Sequence, residues 1–395
     1  MEKIELLSPA GDLERLKIAF MYGADACYFG GREFSLRANA QNFSLDEIKE
    51  ATEFAHSLGK RVYVTVNILF HEEDFEGLED YLDKLYEINV DALIIADPFL
   101  IPLLKEKYPN VEIFLSTQNS TTNKEAVKFF IKEGVDRIVL ARELNYLDIK
   151  EIYNDTKADL EVFLHGAMCS NYSGRCVLSN YFTLRDANRG GCAQVCRFAF
   201  DLNKEEDIKF SLAPKDLNLA RVIPELIDTG AKSLKIEGRM RSAYYIATVN
   251  SSYRKLIDAY YNNSLTDELI EREAYILSRV ANRESTEQFF LRDATVSDQY
   301  YTNREEISNQ DFLGIVLNYD EETKLATIEQ RNYFELGDKI NVFGPNNINI
   351  ELVVIEMFDK DMNPLKVARH PKQIIKIKSD NYLPPQSMIR VSFNK

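Results

Sequence analysis

Residues 4–29 read IELLSPAGDLERLKIAFMYGADACYF, and this stretch decides the fold class of the chain. An apolar run, Ile4 to Leu7, is followed by a segment with helical periodicity, Asp12 to Tyr22, and then by a second apolar run, Ala26 to Phe29. Gly23 stands where a helix would end. The order strand, helix, strand predicts a βαβ unit, in which a helix joins two parallel strands.

The same alternation continues to about residue 260, in eight units. The predicted strands are Ile4 to Leu7, Ala26 to Phe29, Arg61 to Val66, Ala92 to Ala96, Glu112 to Ser116, Arg137 to Leu140, Leu160 to Leu164 and Ser233 to Ile236. The predicted helices are Asp12 to Tyr22, Leu45 to Leu58, Phe75 to Ile88, Pro98 to Lys107, Asn123 to Glu133, Asn145 to Asn154, Asp216 to Thr229 and Ser242 to Tyr261. Eight such units predict an α/β fold with a TIM-like (β/α)8 barrel over residues 1–262. An open, doubly wound sheet is the alternative, although it more often has fewer strands.

The pattern changes after the barrel. Residues 263–310 contain one more predicted helix and then a polar, aperiodic stretch that suits a linker or an arm. From Phe312 onward, short segments with strand alternation are separated by turn-rich stretches. This pattern predicts a small C-terminal all-β barrel domain over residues 311–395, with a sandwich as the alternative.

Four of the five cysteines lie in residues 165–197, HGAMCSNYSGRCVLSNYFTLRDANRGGCAQVCR, with the spacing Cys169-x6-Cys176-x15-Cys192-x3-Cys196. They fall in the connection after the seventh predicted strand, residues 165–215, which is far longer than a usual βα loop. Because the segment is also rich in aromatic residues, we expect it to be folded around a bound group.

Four thiolates can hold a structural zinc ion or an iron–sulfur cluster. Structural zinc usually takes its cysteines from two close pairs, and only Cys192 and Cys196 fit that spacing. An iron–sulfur cluster tolerates wider and less regular spacing, so the sequence favours a [4Fe–4S] cluster, with zinc as the alternative. The fifth cysteine, Cys27, lies in a predicted buried strand and is expected to be a small core residue.

Polar residues follow the predicted strands at the ends where barrel enzymes carry their chemistry. His165, one of only four histidines, ends the seventh strand and is a candidate acid or base, with a structural role in orienting the loop as the alternative. The candidate catalytic residues are His165, Glu237 and Arg239, and the candidate substrate-binding residues are Arg37, Gln118, Arg142 and Lys235.

A net charge of -15 argues against indiscriminate binding to nucleic acids, because such binding depends on Lys and Arg that neutralise phosphates. A nucleic-acid substrate would need a local basic surface. Two groups of residues could form one, or could be ordinary solvated faces: Arg175, Arg185, Arg189 and Arg197 around the cysteines, and Lys366, Arg369, Lys372, Lys376 and Lys378 in the C-terminal region.

The start of the chain has no basic and apolar leader, and no apolar run approaches the ~18 residues of a membrane span. This predicts a cytoplasmic protein without membrane association. The sequence contains no His-Glu-x-x-His, Gly-x-Ser-x-Gly or phosphate-loop motif, so zinc-protease, serine-hydrolase and ATP-driven mechanisms have no motif behind them.

Several stretches together resemble the collagenase-like peptidase family, U32. They are ELLSPAGDLERLKIAFMYGADACYFGG, FSLRANAQNF, STQNSTTN, HGAMCSNYSGRC with NRGGCAQVCR, SLKIEGRMRSAYYIATVNSSYR and, in the β-domain, FLGIVLNYDEETKLATIEQRNYFELGD. The resemblance implies a barrel that carries a [4Fe–4S] cluster on Cys169, Cys176, Cys192 and Cys196. Despite the peptidase label, branches of this family are oxygen-independent hydroxylases that take a hydroxyl group from prephenate.

The substrates of those branches are a wobble uridine of tRNA, a ribosomal RNA cytidine or a ubiquinone precursor. A C-terminal β-domain and the Cys-x3-Cys ending make this chain most similar to the tRNA branch, which makes 5-hydroxyuridine. The resemblance therefore implies tRNA as a partner, prephenate as co-substrate and, since partial relatives often act in pairs, a paralogous subunit. The alternatives are a peptidase, a hydroxylase of ribosomal RNA or of a small aromatic molecule, and a non-catalytic RNA-binding protein with a structural cluster.

Two positions depart from the family pattern. Many relatives read KDLC where this chain has Asn218 after Lys215-Asp216-Leu217, and Val195 stands in place of a usual proline. Neither change removes one of the four clustered cysteines. The two carboxylates of prephenate favour guanidinium groups, for which Arg37, Arg142 and Arg239 are the candidates.

Overall fold

The computed structural model describes residues 3–36, 42–201, 209–281, 283–300 and 310–393. Within these ranges the chain begins as an alternation of strands and helices, each strand pairing in parallel with the next. The elements are β1 (Glu5–Pro9), α1 (Leu13–Met21), β2 (Ala26–Gly30), α2 (Leu45–Ser57), β3 (Arg61–Val66), α3 (Leu78–Ile88), β4 (Ala92–Ile95), α4 (Leu100–Lys107), β5 (Glu112–Leu115), α5 (Lys124–Lys132), β6 (Arg137–Val139), α6 (Tyr146–Thr156) and β7 (Asp159–Gly166).

Local chemistry explains where helices begin. Ser44 and Glu47 form a reciprocal cap at the start of α2: the Ser44 Oγ accepts from the Glu47 backbone N–H at 3.3 Å, and the Glu47 carboxylate accepts from the Ser44 N–H at 2.8 Å. Asn123 and Asn145 cap α5 and α6 through their side-chain oxygens. The predicted start of α2 at Leu45 is therefore confirmed.

A long insertion follows β7. It contains α7 (Leu178–Thr183), the antiparallel pair of β8 (Phe200–Asp201) and β9 (Lys209–Phe210), and the short strand β10 (Asp216–Asn218). The predicted helix from Asp216 is wrong at its start, because β10 is buried and pairs antiparallel with the end of β7, Leu217 opposite Gly166. The helix in this region, α8, is confined to Ile223–Asp228.

The next strand, β11 (Ser233–Ile236), closes the barrel, because it pairs in parallel with both β1 and β7. This confirms the predicted closed barrel rather than the open sheet. Seven side chains pack as a hydrophobic cluster inside it: Leu7, Ala26, Tyr28, Tyr63, Ala92, Ile94 and Phe114. The helices α9 (Ala243–Tyr261) and α10 (Asp267–Val280) follow, and β12 (Ser285–Thr286) then pairs with β10.

The C-terminal region forms a curled antiparallel all-β domain, as predicted. Its strands are β13 (Phe312–Asp320), β14 (Leu325–Gln330), β15 (Phe334–Glu335), β16 (Lys339–Phe343), β17 (Asn349–Val353), β18 (Met357–Asp359), β19 (Val367–Ala368), β20 (Ile374–Lys378) and β21 (Met388–Val391). The main sheet has the order β17-β16-β21-β13-β14-β20-β18, while β15 pairs with β19.

Tyr22, at the end of α1, joins this domain to the barrel. Its hydroxyl donates to the Gln386 carbonyl at 2.8 Å and accepts from the Met388 N–H at 3.1 Å, and its ring packs edge-on against Phe343. Burial raises the pKa of the Tyr22 hydroxyl. Phe343 and Met388 of the C-terminal domain thus belong to the hydrophobic core of the barrel, while the domain also has a separate core of its own. Among the described helices, none is long and apolar enough to cross a membrane.

Candidate active site

The cysteine-bearing loop leaves the barrel at Gly166, the last residue of β7. Gly166 has a φ of +113°, and a Cβ at this position would lie 2.4 Å from the backbone oxygen of Glu237. Only glycine fits this turn, both because its φ is positive and because the neighbouring backbone is so close. The loop therefore starts directly beside the C-terminal end of β11.

Polar contacts hold the loop over the C-terminal ends of β5 and β6. The Nε of Arg175 donates to the backbone oxygen of Gln118 at 2.6 Å. The carboxylate of Glu143 accepts from the N–H of Ser173 at 2.7 Å and from its hydroxyl at 3.0 Å. Since Gln118 follows β5 and Glu143 follows β6, these contacts place the loop at the barrel mouth.

A third contact holds the loop beside the end of β3. The Arg189 guanidinium donates to the carboxylate of Asp74, at 2.7 Å for one pair of atoms, and to the Leu69 carbonyl at 3.0 Å. This hydrogen bond with Arg189 lowers the pKa of Asp74. One side of the mouth is therefore bordered by the cysteine loop.

The four clustered thiols share one electrostatic neighbourhood. Burial raises the pKa of Cys169, and the nearby Cys196 and Cys176 raise it further. Burial likewise raises the pKa of Cys196, to which Cys192 and Cys176 also contribute. Each of the four is thus close enough to another for its charge to be felt.

Backbone groups also point at the sulfur atoms. The Asn171 N–H lies 3.5 Å from the Sγ of Cys169, and the Leu178 N–H lies 3.3 Å from the Sγ of Cys176. In the described part of the chain, however, no three His, Cys, Asp or Glu side chains are arranged to hold a single metal ion. A four-iron cluster is wider than one ion, so its thiolate ligands lie farther apart. The donor set of four thiols with N–H groups aimed at sulfur suits such a cluster.

Lys235 lies inside the barrel below the mouth. Its Nζ is 2.6 Å from the carboxylate of Glu161, which is fully buried, and 4.3 Å from the ring centre of Tyr28. The Tyr28 hydroxyl lies 2.9 Å from the Ile236 carbonyl oxygen and 3.2 Å from the Glu237 carboxylate. Lys235 and Glu237 are therefore connected through one tyrosine.

Arg142 stands between this interior and the cysteine loop. Its guanidinium stacks on Phe163, with the Cζ 4.1 Å from the ring centre, and donates to the Ala167 carbonyl at 2.9 Å. Its Nε is buried and has no hydrogen-bond partner among the described residues. The charge of Arg142 also lowers the pKa of Cys169 against the effect of burial. A buried guanidinium N–H without an acceptor is suited to receive an anionic ligand.

Arg239 forms the opposite side of the mouth. It is buried, and it donates to the hydroxyls of Ser35 at 3.1 Å and Thr65 at 3.2 Å and to the backbone oxygen of Leu36. The backbone of Gly30 approaches this guanidinium so closely that a Cβ there would lie 2.4 Å from an Arg239 nitrogen. The arginine is thus fixed in place by the ends of β2 and β3.

Gln118 completes a belt of polar groups around the rim. Its Oε1 accepts from the amide of Asn67 at 3.0 Å and from the Ser116 hydroxyl at 3.1 Å. The Oδ1 of Asn67 in turn accepts from the N–H of Leu36 at 3.1 Å. The belt connects Gln118 to the backbone segment that contacts Arg239.

His165 lies away from the mouth. It is buried against α9, with its Nδ1 3.2 Å from the Tyr253 hydroxyl and its ring packed near Tyr245. Burial, together with the charge of Arg241, lowers the pKa of His165 to about 3. A neutral histidine enclosed by aromatic rings suits the alternative role, in which it orients the start of the loop, better than proton transfer at neutral pH.

Of the seven predicted catalytic and substrate-binding residues, four lie at the mouth, while Lys235 lies below it in the barrel interior, paired with Glu161. The four are Gln118, Arg142, Glu237 and Arg239. Arg37 lies outside the described residues. The sequence interpretation missed Tyr28 and Phe163, because both lie within apolar strands. The alternation of side chains along a strand was the available signal, since Tyr28 and Phe163 share the interior face with Ala26 and Glu161.

Comparison with known proteins agrees with this architecture. The chain matches the model of peptidase family U32 over residues 11–300 and that of the family's C-terminal domain over residues 308–390. It is 47% identical to the tRNA hydroxylation protein P1 of Bacillus subtilis, over 98% of this chain and 95% of that protein. It is 38% identical to the 23S rRNA 5-hydroxycytidine synthase of Escherichia coli, over 73% of this chain and 43% of that protein.

A third relative carries the name of a protease. The collagenase of Porphyromonas gingivalis is 31% identical, over 86% of each chain. Similar proteins are therefore named for different activities. The matches to both domain models nonetheless span nearly the whole sequence, and the chain belongs to peptidase family U32.

Proposed function

We propose that this protein hydroxylates tRNA, converting the wobble uridine to 5-hydroxyuridine with prephenate as the hydroxyl donor. The observation that carries this proposal is the placement of four thiols beside a mouth lined by the cations Arg142 and Arg239. Relatives named for tRNA hydroxylation and for an rRNA hydroxycytidine synthase support RNA as the substrate class. Since tRNA is the substrate, we expect the protein to work in the cytoplasm, alone or with a paralogous subunit.

Cys169, Cys176, Cys192 and Cys196 would hold a [4Fe–4S] cluster. When bound with one cysteine on each iron, such a cluster would supply electron transfer. The chain's own contribution is to keep the thiols together through the contacts of Ser173, Arg175 and Arg189 with the barrel. The N–H groups aimed at the sulfurs stabilise thiolate charge.

The cations at the mouth would suit the two carboxylates of prephenate. Arg142 has a buried N–H without a partner within the described ranges, and the Arg239 guanidinium is held rigidly at the other side. Guanidinium groups bind carboxylates in a fixed, bidentate geometry. The buried rings of Tyr28 and Phe163 lie beneath Lys235 and Arg142 and help to hold these two cations in place. These groups would orient prephenate and exclude water from it.

Glu237 and Tyr28 are suited to move a proton. The Tyr28 hydroxyl lies 3.2 Å from the Glu237 carboxylate, and Lys235 lies over the Tyr28 ring. A half-buried carboxylate at the mouth can accept a proton from a bound substrate, and the tyrosine can stabilise the charge that remains. His165, by contrast, contacts Tyr253 rather than a serine or cysteine, so it does not form the nucleophile–base pair of a peptidase.

The test is an anaerobic preparation analysed for iron, sulfide and visible absorbance, then mixed with prephenate and unmodified tRNA. We expect prephenate-dependent 5-hydroxyuridine, measured by mass spectrometry of nucleosides. The Cys192→Ala variant should lose the chromophore and at least about 100-fold of the activity, the upper range seen when groups that merely support a metal ligand are removed. Cys27→Ala is the matched control, since Cys27 is buried in β2, and it should keep both.

Colourless, zinc-loaded protein would overturn the cluster assignment. Hydroxylation that proceeds equally well without prephenate would overturn the assignment of prephenate as the hydroxyl donor. Parallel reactions with ribosomal RNA and with gelatin distinguish the remaining alternatives, because product in one of those reactions and none with tRNA would identify a different substrate.

A further inference from the structure

The helix α7 presents large apolar side chains to solvent. Tyr181 is 81% exposed, Phe182 is 58% exposed and Leu184, just after the helix, is 95% exposed. Isolated exposed apolar residues are ordinary, but three within four residues next to a set of candidate ligands are not. They contribute little to the core, so their presence needs another reason.

The backbone at Leu184 strengthens this point. Leu184 has a φ of +55°, a left-handed conformation that favours glycine at the end of a helix. A leucine there is strained and gains no burial in return. Strained residues concentrate at binding sites, where the side chain itself is needed.

The helix α7 is held firmly next to the cysteines. The Ser179 hydroxyl accepts from the Ala193 N–H at 3.1 Å, directly after Cys192. Phe182 also packs edge-on against Phe200, which contacts Phe210 of the neighbouring strand β9. The exposed rings therefore sit on a defined surface rather than on a loose tip.

Arginine side chains lie in the same loop as these aromatic rings. The side chains of Arg175 and Arg185 are exposed, and Arg197 is half-buried in the turn that contains Cys196. In a chain with a net charge of -15, this local group of arginines is suited to a polyanion. Aromatic rings interspersed with arginines are the chemistry that binds unpaired nucleotides, because bases stack on the rings and phosphates pair with the cations.

We propose that Tyr181, Phe182 and Leu184 form a platform on which unpaired bases of the RNA substrate stack. This rests on the proposed function, in that the substrate is RNA, and it adds which surface receives the nucleotides next to the target. Because α7 belongs to the cysteine loop at the barrel mouth, bases bound there lie beside the reaction site.

The first experiment measures the Kd of the purified holoprotein for an unmodified tRNA, for its isolated anticodon stem–loop and for a fully paired RNA, at one fixed salt concentration. Phe182→Ala and Tyr181→Ala should each weaken binding of the tRNA and the stem–loop by about five-fold or more, the range for loss of one stacked base. Binding of the paired RNA should not change. Phe129→Ala is the matched control, because Phe129 is 55% exposed and packs against Phe130 on α5.

Two further variants separate binding from folding. Leu184→Gly relieves the backbone strain, so it should leave the melting temperature unchanged or raise it while weakening RNA binding. The chain has no tryptophan, so Tyr181→Trp introduces a single reporter. Stacking of a base should quench its fluorescence upon addition of the stem–loop, whereas Phe129→Trp should not respond.

The outcomes are distinguishable. If the unaltered protein does not bind tRNA, the RNA substrate itself is wrong. If it binds tRNA and the α7 variants bind equally well, only the platform is wrong. If those variants keep their RNA affinity but change the molecular mass measured by light scattering, the surface serves a protein contact, which also overturns the platform.

Discussion

Cations have different partners at the two ends of the barrel interior. Near the N-terminal ends of the strands, Arg137 lies 2.6 Å from the Glu5 carboxylate and 3.4 Å from Glu161, and Lys235 lies 2.6 Å from Glu161. At the C-terminal mouth, by contrast, Arg142 donates to the neutral carbonyl oxygen of Ala167.

The difference shows which end supports the fold and which is available to a ligand. Burial lowers the pKa of Arg137, but the carboxylates of Glu5, Glu161 and Asp159 outweigh it and raise the pKa above its usual value. Buried charges that are paired in this way are costly to separate. Arg142 rests on a neutral carbonyl oxygen and has a buried N–H without a partner among the described residues, so it keeps most of its attraction for an anion and the mouth is the end available to an anionic ligand.

The largest expected effect comes from breaking the pairing at the paired end. Glu161→Gln leaves Lys235 buried without its carboxylate, which should reduce the free energy of unfolding by about 3–5 kcal/mol. Urea unfolding at neutral pH measures this. Removing both charges with Glu161→Met and Lys235→Met should recover part of the loss, because an apolar pair avoids the unpaired charge. A single variant as stable as the unaltered protein would show that this end is not held by its ion pairs.

A glutamate-to-glutamine substitution at the mouth should reduce activity rather than stability. Glu237→Gln keeps an oxygen that accepts from the Tyr28 hydroxyl, and the side chain is only half-buried, so the free energy of unfolding should fall by less than it does in Glu161→Gln. Because the amide cannot take up a proton, turnover should fall by about 100-fold, the lower range for loss of a general base. Parallel measurements of unfolding and of 5-hydroxyuridine formation check this. Equal activity would remove Glu237 from the proton-transfer role.

Much of the architecture could be predicted from the sequence because it depends on local patterns. Apolar runs separated by helical periods predicted the eight barrel strands, and the length and aromatic content of the connection after the seventh strand predicted a folded loop. The start of the predicted helix at Asp216 was wrong because β10 pairs with Gly166 and His165, an interaction between residues about 50 positions apart. Local propensity carries no information about such a partner.

The position of His165 could not be predicted for a similar reason. Along β7, Glu161 and Phe163 face the barrel interior, so alternation would place His165 there too. The pairing with β11 shifts at this point: Lys235 is opposite Phe163, but Ile236 is opposite His165. The extra residue turns the His165 side chain toward α9. A bulge of this kind depends on the partner strand β11, so the sequence of β7 alone could not predict it.

The pH dependence of stability tests this placement of His165. In the unfolded chain a histidine takes up a proton near pH 6.5, whereas the folded protein keeps His165 neutral down to a pKa of about 3. The free energy of unfolding therefore decreases as the pH falls below 6.5, by about 1.4 kcal/mol per pH unit. At pH 5 the loss is about 2 kcal/mol. Urea unfolding at pH 7 and pH 5 measures the loss.

His165→Gln is the control for that measurement, because glutamine does not titrate. The variant should lose less stability than the unaltered protein between pH 7 and pH 5. Identical losses in the two proteins would mean that His165 is protonated in the folded state and so lies in a more polar environment than the rings of Tyr245 and Tyr253 provide.

The smallest expected effect is for Glu143, whose carboxylate accepts hydrogen bonds from the cysteine loop and, among the described residues, does not pair with a cation there. Glu143 accepts two hydrogen bonds from Ser173, and Glu143→Gln can keep only one of its two oxygens as an acceptor. The loss of one such bond costs about 1 kcal/mol, so the Ser173 amide should exchange its hydrogen about five-fold faster. Hydrogen exchange followed by mass spectrometry over residues 167–180 measures this without relying on activity.

Glu151→Gln is the matched control for that experiment, since Glu151 pairs with Lys124 on the barrel exterior and is largely exposed. It should leave exchange in the cysteine loop unchanged, because exposed ion pairs contribute little. Faster exchange in the Glu143 variant alone would show that the mouth holds its loop by directed hydrogen bonds, just as the other end holds its strands by paired charges. Equal exchange in both variants would mean that Arg175 and Arg189 are sufficient to keep the loop in place.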